Sequence, residues 1–85
     1  MIPTPFAQQA TIAYAIPCDA DVAISIYDVL GRCIRMLVES EQPAGRHAVR
    51  WDGSNEAGGM CSPGIYFVEL RAGHQVLRTR TVLLW

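Results

Sequence analysis

The segment DVAISIY, Asp21–Tyr27, sets Val22, Ile24 and Ile26 at every second position, with Ala23 and Ser25 between them. A period of two places these three side chains on one face of an extended strand, which a helix cannot do. The same alternation recurs over Thr11–Ile16, Cys33–Val38, Arg46–Trp51, Ile65–Ala72 and Val76–Leu84. No long 3.6-residue periodicity competes with it. Gly and Pro stand between the segments, where the chain must turn. Short strands at this close spacing predict an all-β antiparallel sandwich. One more strand is expected near Pro5 or within residues 52–63, for about seven in all.

Two hairpins can be laid out by register. If Tyr27 faces Cys33, then Ile26 faces Ile34, Ile24 faces Met36 and Val22 faces Val38, and the apolar pairs share one face. The bend between them is Asp28–Arg32. The Asp28 carboxylate suits the start of a turn, because it accepts from N–H groups two residues on. Gly31 suits a left-handed backbone position. A crossing between two sheets would use the same bend. In the last hairpin Gly73-His74 forms a two-residue turn. Leu70 then faces Leu77, Val68 faces Thr79 and Tyr66 faces Thr81, all inward. Outside, Glu69 meets Arg78, Phe67 meets Arg80 and Ile65 meets Val82. Ile65, Phe67, Val82 and Leu84 thus form an apolar strip, a candidate partner surface unless the Arg78 and Arg80 stems shield it.

A chain of 85 residues is expected to be one domain, 1–85. It is 51% hydrophobic and 18% charged, more apolar than so small an interior can hold, so some apolar side chains are expected at the surface. The net charge of −1, with no basic stripe, argues against nucleic acid. No apolar run reaches ~18 residues, so no transmembrane segment is expected. The start does not look like a signal peptide, so an exported form would begin as a mature piece or an excised domain.

The polar residues show no catalytic pattern. His47 lies in an alternating strand and His74 in a tight turn, neither beside a nucleophile motif, so no enzyme activity and no cofactor are expected. The loop WDGSNEAGG carries Asp52, Asn55 and Glu56 but lacks calcium-loop spacing, and the expectation is no metal. Cys18, Cys33 and Cys61 fit no zinc spacing. Strands that alternate in direction put Cys33 and Cys61 at one end, so Cys33–Cys61 is the one internal bridge to consider. The plainer expectation is three unpaired or partly buried thiols.

Pro63-Gly64-Ile65-Tyr66 entering a strand resembles the tyrosine corner of fibronectin-III and Ig-like domains, in which the phenol bonds back to the loop. Four stretches together resemble one family. They are PTPF at Pro3–Phe6, ISIYDVLGRCI at Ile24–Ile34, AGRHAVRWDGSNEAGG at Ala44–Gly59, and SPGIYFVEL with RTVLLW toward the end. Their order and spacing resemble the type A C-terminal sorting domain of the type IX secretion system, kin to the Ig-like domain of the flagellar hook-capping protein. The resemblance implies an Ig-like sandwich of about seven strands. It also implies a sorting or anchoring role on a secreted or cell-surface protein. Asp28, Gly31, Arg32, Gly64 and Tyr66 would be sorting and turn determinants, with Arg80 where the family carries lysine. Secretion machinery or neighbouring subunits would be the partners.

The second reading is a structural subunit or spacer of an extracellular or flagellar-type assembly. Such a subunit would form a homo-oligomer or fibre through its strand edges. A third is a sugar-binding sandwich using Trp51, Tyr14 and Tyr27.

Overall fold

The computed structural model describes residues 2–6 and 9–83, with side chains from 10 to 82. Seven strands follow in order: β1 Ile2–Phe6, β2 Gln9–Ile16, β3 Ala20–Tyr27, β4 Cys33–Gln42, β5 Gly45–Trp51, β6 Gly64–Ala72 and β7 Gln75–Leu83. They form two antiparallel sheets, β1-β2-β5 and β4-β3-β6-β7. No helix occurs among the described residues, and none is long and apolar enough to cross a membrane. The extra strand expected near Pro5 is β1. Its two prolines lack N–H groups, and it sits at a sheet edge, where a missing donor costs no ladder bond.

The alternating faces meet between the sheets. Ile12, Tyr14 and Ile16 from β2 pack on Val22, Ile24 and Ile26 from β3, with Tyr66, Val68 and Leu70 from β6 and Trp51 from the end of β5. The Trp51 ring is fully buried and meets Tyr66 edge-on, with centroids 5.2 Å apart. Its indole Nε1–H donates to the Ser54 carbonyl at 2.9 Å, so burial leaves no orphan donor.

Segments β3 and β4 are hairpin neighbours in one sheet, so the chain does not cross between sheets at Asp28–Arg32. The register departs from simple alternation. Tyr27 faces Cys33 as expected, but Ile26 faces Arg35, Ile24 faces Val38 and Val22 faces Ser40. Two bulges, between Ile24 and Ser25 and between Ile26 and Tyr27, each admit an extra β4 residue. Each bulge resets the phase of β4. Ile34, Leu37 and Val38 therefore all pack on the core, while Met36 turns outward opposite Ser25.

The β6–β7 register is the expected one at every pair, from Ile65–Val82 to Leu70–Leu77. Leu77 is nevertheless 50% exposed. The opposing sheet has three strands. Toward the Gly73-His74 turn Leu77 lines a small open cavity with Ala15 and Ile16 of β2, so the two sheets do not close over it.

Candidate functional site

The β3–β4 turn is closed by one carboxylate. Asp28 Oδ1 accepts from the N–H groups of Leu30 at 2.9 Å and Arg32 at 3.0 Å. Arg32 Nε donates to Asp28 Oδ2 at 2.7 Å. These bonds hold the Asp28 carboxyl below its ordinary value, the Arg32 backbone N–H contributing most. Gly31 takes φ 82°, the left-handed region that glycine favours. The turn thus pushes Val29 and Leu30 into solvent, 67% and 74% exposed.

At the same end, Tyr66 Oη donates to the Ser62 carbonyl at 2.6 Å, the corner bond expected of it, and Gly64 precedes it at φ 149°. Cys61 lies beside this corner and packs on the core, where burial pushes its thiol up. Cys33 is exposed and sits opposite Tyr27, whose side chain lies on the other side of the sheet from the core. The two thiols thus lie on opposite faces, and the Cys33–Cys61 bridge does not form; all three cysteines are free.

The loop after β5 commits its oxygens to its own backbone and to β4. Asp52 Oδ1 accepts from the Ser54 hydroxyl at 2.5 Å and the Ser54 N–H at 3.0 Å, which lowers the Asp52 pKa, the hydroxyl contributing most. Asn55 Oδ1 accepts from the N–H groups of Ala57 and Gly59. Glu56 Oε1 accepts from the Met36 N–H at 2.6 Å, and the Glu56 N–H donates to the Ile34 carbonyl at 3.0 Å. Arg35 Nη1 reaches Ser54 Oγ and the Asn55 carbonyl, both at 3.1 Å. The loop is therefore bound along the β4 edge, and its oxygen ligands are engaged in folding. Of the three rings named for sugar stacking, Trp51 and Tyr14 are buried, and Tyr14 stacks on His47.

What remains outward is the far side of the four-stranded sheet. Ile65 and Phe67 are 44% and 37% exposed there, with Val82 half-buried beside them. Leu84 lies outside the described residues. Tyr27 pairs with Phe67 across the strands, and with Val29, Gly31 and Arg78 they line an open cavity of about 230 Å³. Beneath it Glu69 is only 2% exposed. Its two oxygens accept from Arg71 Nε at 2.8 Å and Arg78 Nε at 2.7 Å, and the Arg71 bond leads in lowering its pKa. Arg78 also lies over the Tyr27 ring, 5.8 Å from its centroid. Sequence alone gives the Glu69–Arg78 pair; Arg71 is the missed member, although its place two residues along puts it on the same face. Arg80 stands opposite Phe67, exposed on this face.

A family profile described as the FlgD Ig-like domain matches residues 4–75. The crystal structure of FlgD from P. aeruginosa superposes with a TM-score of 0.70 at 24% identity, a likeness of fold. The match covers 88% of this chain and 60% of that one, so the chain spans less than two thirds of the FlgD chain it resembles. No curated protein matches.

Proposed function

This chain belongs to the FlgD Ig-like domain family, and from that membership we propose that it is a non-catalytic structural module of an exported, flagellar-type assembly. It works by holding neighbouring protein subunits. One observation carries this reading. The polar groups of the turns and the long loop are bound up in folding, while the outer face around Tyr27, Ile65 and Phe67 is left apolar and open. An apolar patch on so small a sandwich serves contact with another protein. The family match favours this role over secretion sorting, which draws no support from the comparisons. The place of action is the secreted or cell-surface side.

The strand edges are poorly suited to the contact. The β4 edge is occupied near Ile34 and Met36 by the loop and further on carries Glu39 and Glu41. The β1 edge carries Pro3 and Pro5, and β5 carries Arg46 and Arg50. Charges and prolines of this kind blunt edge pairing. The face is the better surface, with Ile65, Phe67 and Val82 at its centre. Asp28, Gly31, Arg32, Gly64 and Tyr66 act by shaping the turn and corner that frame it.

The test fuses the chain to the C-terminus of a reporter in a bacterium with a type IX secretion system. An assembly module leaves the reporter inside the cell. Export of the reporter, dependent on Asp28 and Arg32, would restore the sorting role and displace this one.

A further inference from the structure

Strand β1 covers only part of β2. Their last described pair is Ile2–Ala13. Beyond it β2 runs on through Tyr14, Ala15 and Ile16, with β5 on one side and no strand among the described residues on the other. Pro3 and Pro5 have no N–H, so the bonded pairs of this ladder are those of Ile2, Thr4 and Phe6, opposite Ala13, Thr11 and Gln9. Bonded positions recur at every second residue. The next on β2 is Ala15, whose N–H and C=O therefore both point into the vacant place. Across it stands β7, the last strand of its own sheet. Between the two is the cleft at Leu77, a narrow space of about 10 Å³ lined by Ala15, Ile16, Leu70 and Leu77. It shares Ile16, Ala72 and Gln75 with a cavity of about 380 Å³ beside Cys18 and His74.

We propose that this place takes an extended segment of another protein as an added strand, antiparallel to β2, with the pattern apolar–acidic–apolar. The backbone of Ala15 calls for a donor and an acceptor on one residue, which an antiparallel strand supplies, and β1 shows the mode on the same edge. The segment's residues opposite Ile16 and Tyr14 point inward as those two do, into an apolar cleft, so both are apolar. The one opposite Ile16, beside the wider cavity, is the larger. The residue opposite Ala15 points outward with it. On that face of β2 and β5 stand Thr11, Ala13, Ala48, Arg46 and Arg50, and no carboxylate. Ala15 pairs with Arg46, which is exposed. Two strand spacings, about 10 Å, separate Arg46 from the added residue, a span that an arginine and a glutamate side chain close between them over the small Ala15. Asp19, in the turn after β2, is held by the Ala44 N–H at 2.8 Å.

Prolines and charges blunt the other edges, but Tyr14–Ile16 carries neither. The outer face of the four-stranded sheet plays no part here, so the inference goes beyond the assembly reading and is tested separately from it.

The probe is the acetylated, amidated peptide Thr-Leu-Glu-Val-Thr, titrated into the nitrogen-15-labelled chain to about 5 mM, the weak range that so short a contact implies. The Ala15, Ile16 and Leu77 resonances should shift, and those of Phe67 and Glu69 should hold still. Amide exchange at Ala15 should slow several-fold as its N–H gains a ladder partner. Leu77→Lys changes a half-exposed residue, so the variant should keep the native circular dichroism spectrum. It should weaken binding at least ~10-fold, as a charge set in an apolar cleft requires. A peptide with Lys in place of Glu should bind the wild type several-fold more weakly, and Arg46→Glu should reverse that preference, a gain that a misfolded variant could not give. Unmoved Ala15 and Leu77 resonances overturn the proposal. So do equal binding of the two peptides and shifts confined to Ile65 and Phe67, which would place the peptide on the outer face. Ala15 shifts that grow with chain concentration in the absence of peptide would make a second copy the occupant and overturn it as well. None of these results touches the assembly reading, which falls only if the reporter is exported.

Discussion

Arg32 reaches back across the β3–β4 turn to Asp28, its Nε 2.7 Å from Oδ2, while the other carboxylate oxygen holds the N–H of Arg32 itself and that of Leu30. One carboxylate thus satisfies the N–H groups of both Leu30 and Arg32. The backbone adds two bonds of its own, Gly31 N–H to the Asp28 carbonyl and Asp28 N–H to the Arg32 carbonyl, each 3.0 Å. This fixes where Val29 and Leu30 project.

Asp28→Ala should loosen the turn more than Asp28→Asn, because Asn keeps an acceptor near the two N–H groups. The measure is amide exchange at Leu30 and Arg32, fastest in the Ala variant. The pH dependence has a definite sign. The folded carboxyl lies below its ordinary value of 3.8, so the turn's contribution is present above that pH. It is lost as pH falls through the depressed folded value. The Leu30 and Arg32 amide resonances should move in that acid range and hold still near neutrality.

Gly31→Ala should cost about 1 kcal/mol, the penalty for a β-carbon at a left-handed backbone position. Nothing lies within 4 Å of where that carbon would stand, so the loss is backbone strain and not a clash. Denaturant titration gives the value. A loss above about 3 kcal/mol would exceed the strain of one left-handed residue and point to a packing role for Gly31.

The strands, the closing hairpin and the turn were legible in the sequence because each is local. Alternation fixes the faces of β3 and β6, and Gly73-His74 fixes the β6–β7 register pair by pair. The β4 register was not legible. CIRMLV alternates plausibly, yet two bulges turn Leu37 in and Met36 out, a choice set by how an edge strand twists over the opposing sheet. Leu77 misleads for a related reason: its partner Leu70 is buried, but Leu77 itself lines an open cavity where the sheets part beside β2. Of the candidate face, Phe67 and Ile65 could be read from alternation. The burial of Glu69 could not, because it depends on Arg71 and Arg78 folding over it from two strands.

Tyr66→Phe should lower stability by about 1 kcal/mol, the usual net worth of one hydrogen bond, because it removes only the donor to the Ser62 carbonyl. Trp51→Ala should cost about 3–5 kcal/mol, a large share of a small domain's total, because it opens a cavity at the centre of the core. Trp51→Ala and Tyr66→Ala should be non-additive when combined, since the rings touch. Thermal unfolding of the single and double variants measures the coupling.

Glu69→Gln should destabilise the chain by about 1–2 kcal/mol, since hydrogen bonds to a charged, buried acceptor are worth more than neutral ones. It also leaves Arg71 and Arg78 facing each other without a shared counter-charge. The folded Glu69 carboxyl lies below its ordinary value of 4.5, the Arg71 hydrogen bond leading. The stability it supplies is therefore complete above pH 4.5 and lost as pH falls through the folded value. Wild-type and Glu69→Gln unfolding midpoints should converge in that acid range and stand apart at pH 7. A constant gap across pH would assign the effect to packing.

Arg35→Ala should free the loop after β5 from the β4 edge. The guanidinium bonds Ser54 Oγ and the Asn55 carbonyl, and the neighbouring Glu56 makes two bonds to the same β4 edge, one to Ile34 and one to Met36. The Arg35 Nε is buried without a partner, so its removal also relieves a desolvated donor, and the net change in stability should stay within about 2 kcal/mol. The sharper effect is local. Amide exchange should quicken at Met36 and Glu56, whose N–H groups span the seam, and stay slow at Ile24 and Val68 in the sheet centre. With the edge bared, strand pairing between copies becomes available where the wild type excludes it. The variant should therefore associate through this edge, seen as a higher weight-average mass than that of the wild type at the same concentration. Equal masses would show that the loop is held at the β4 edge by more than Arg35.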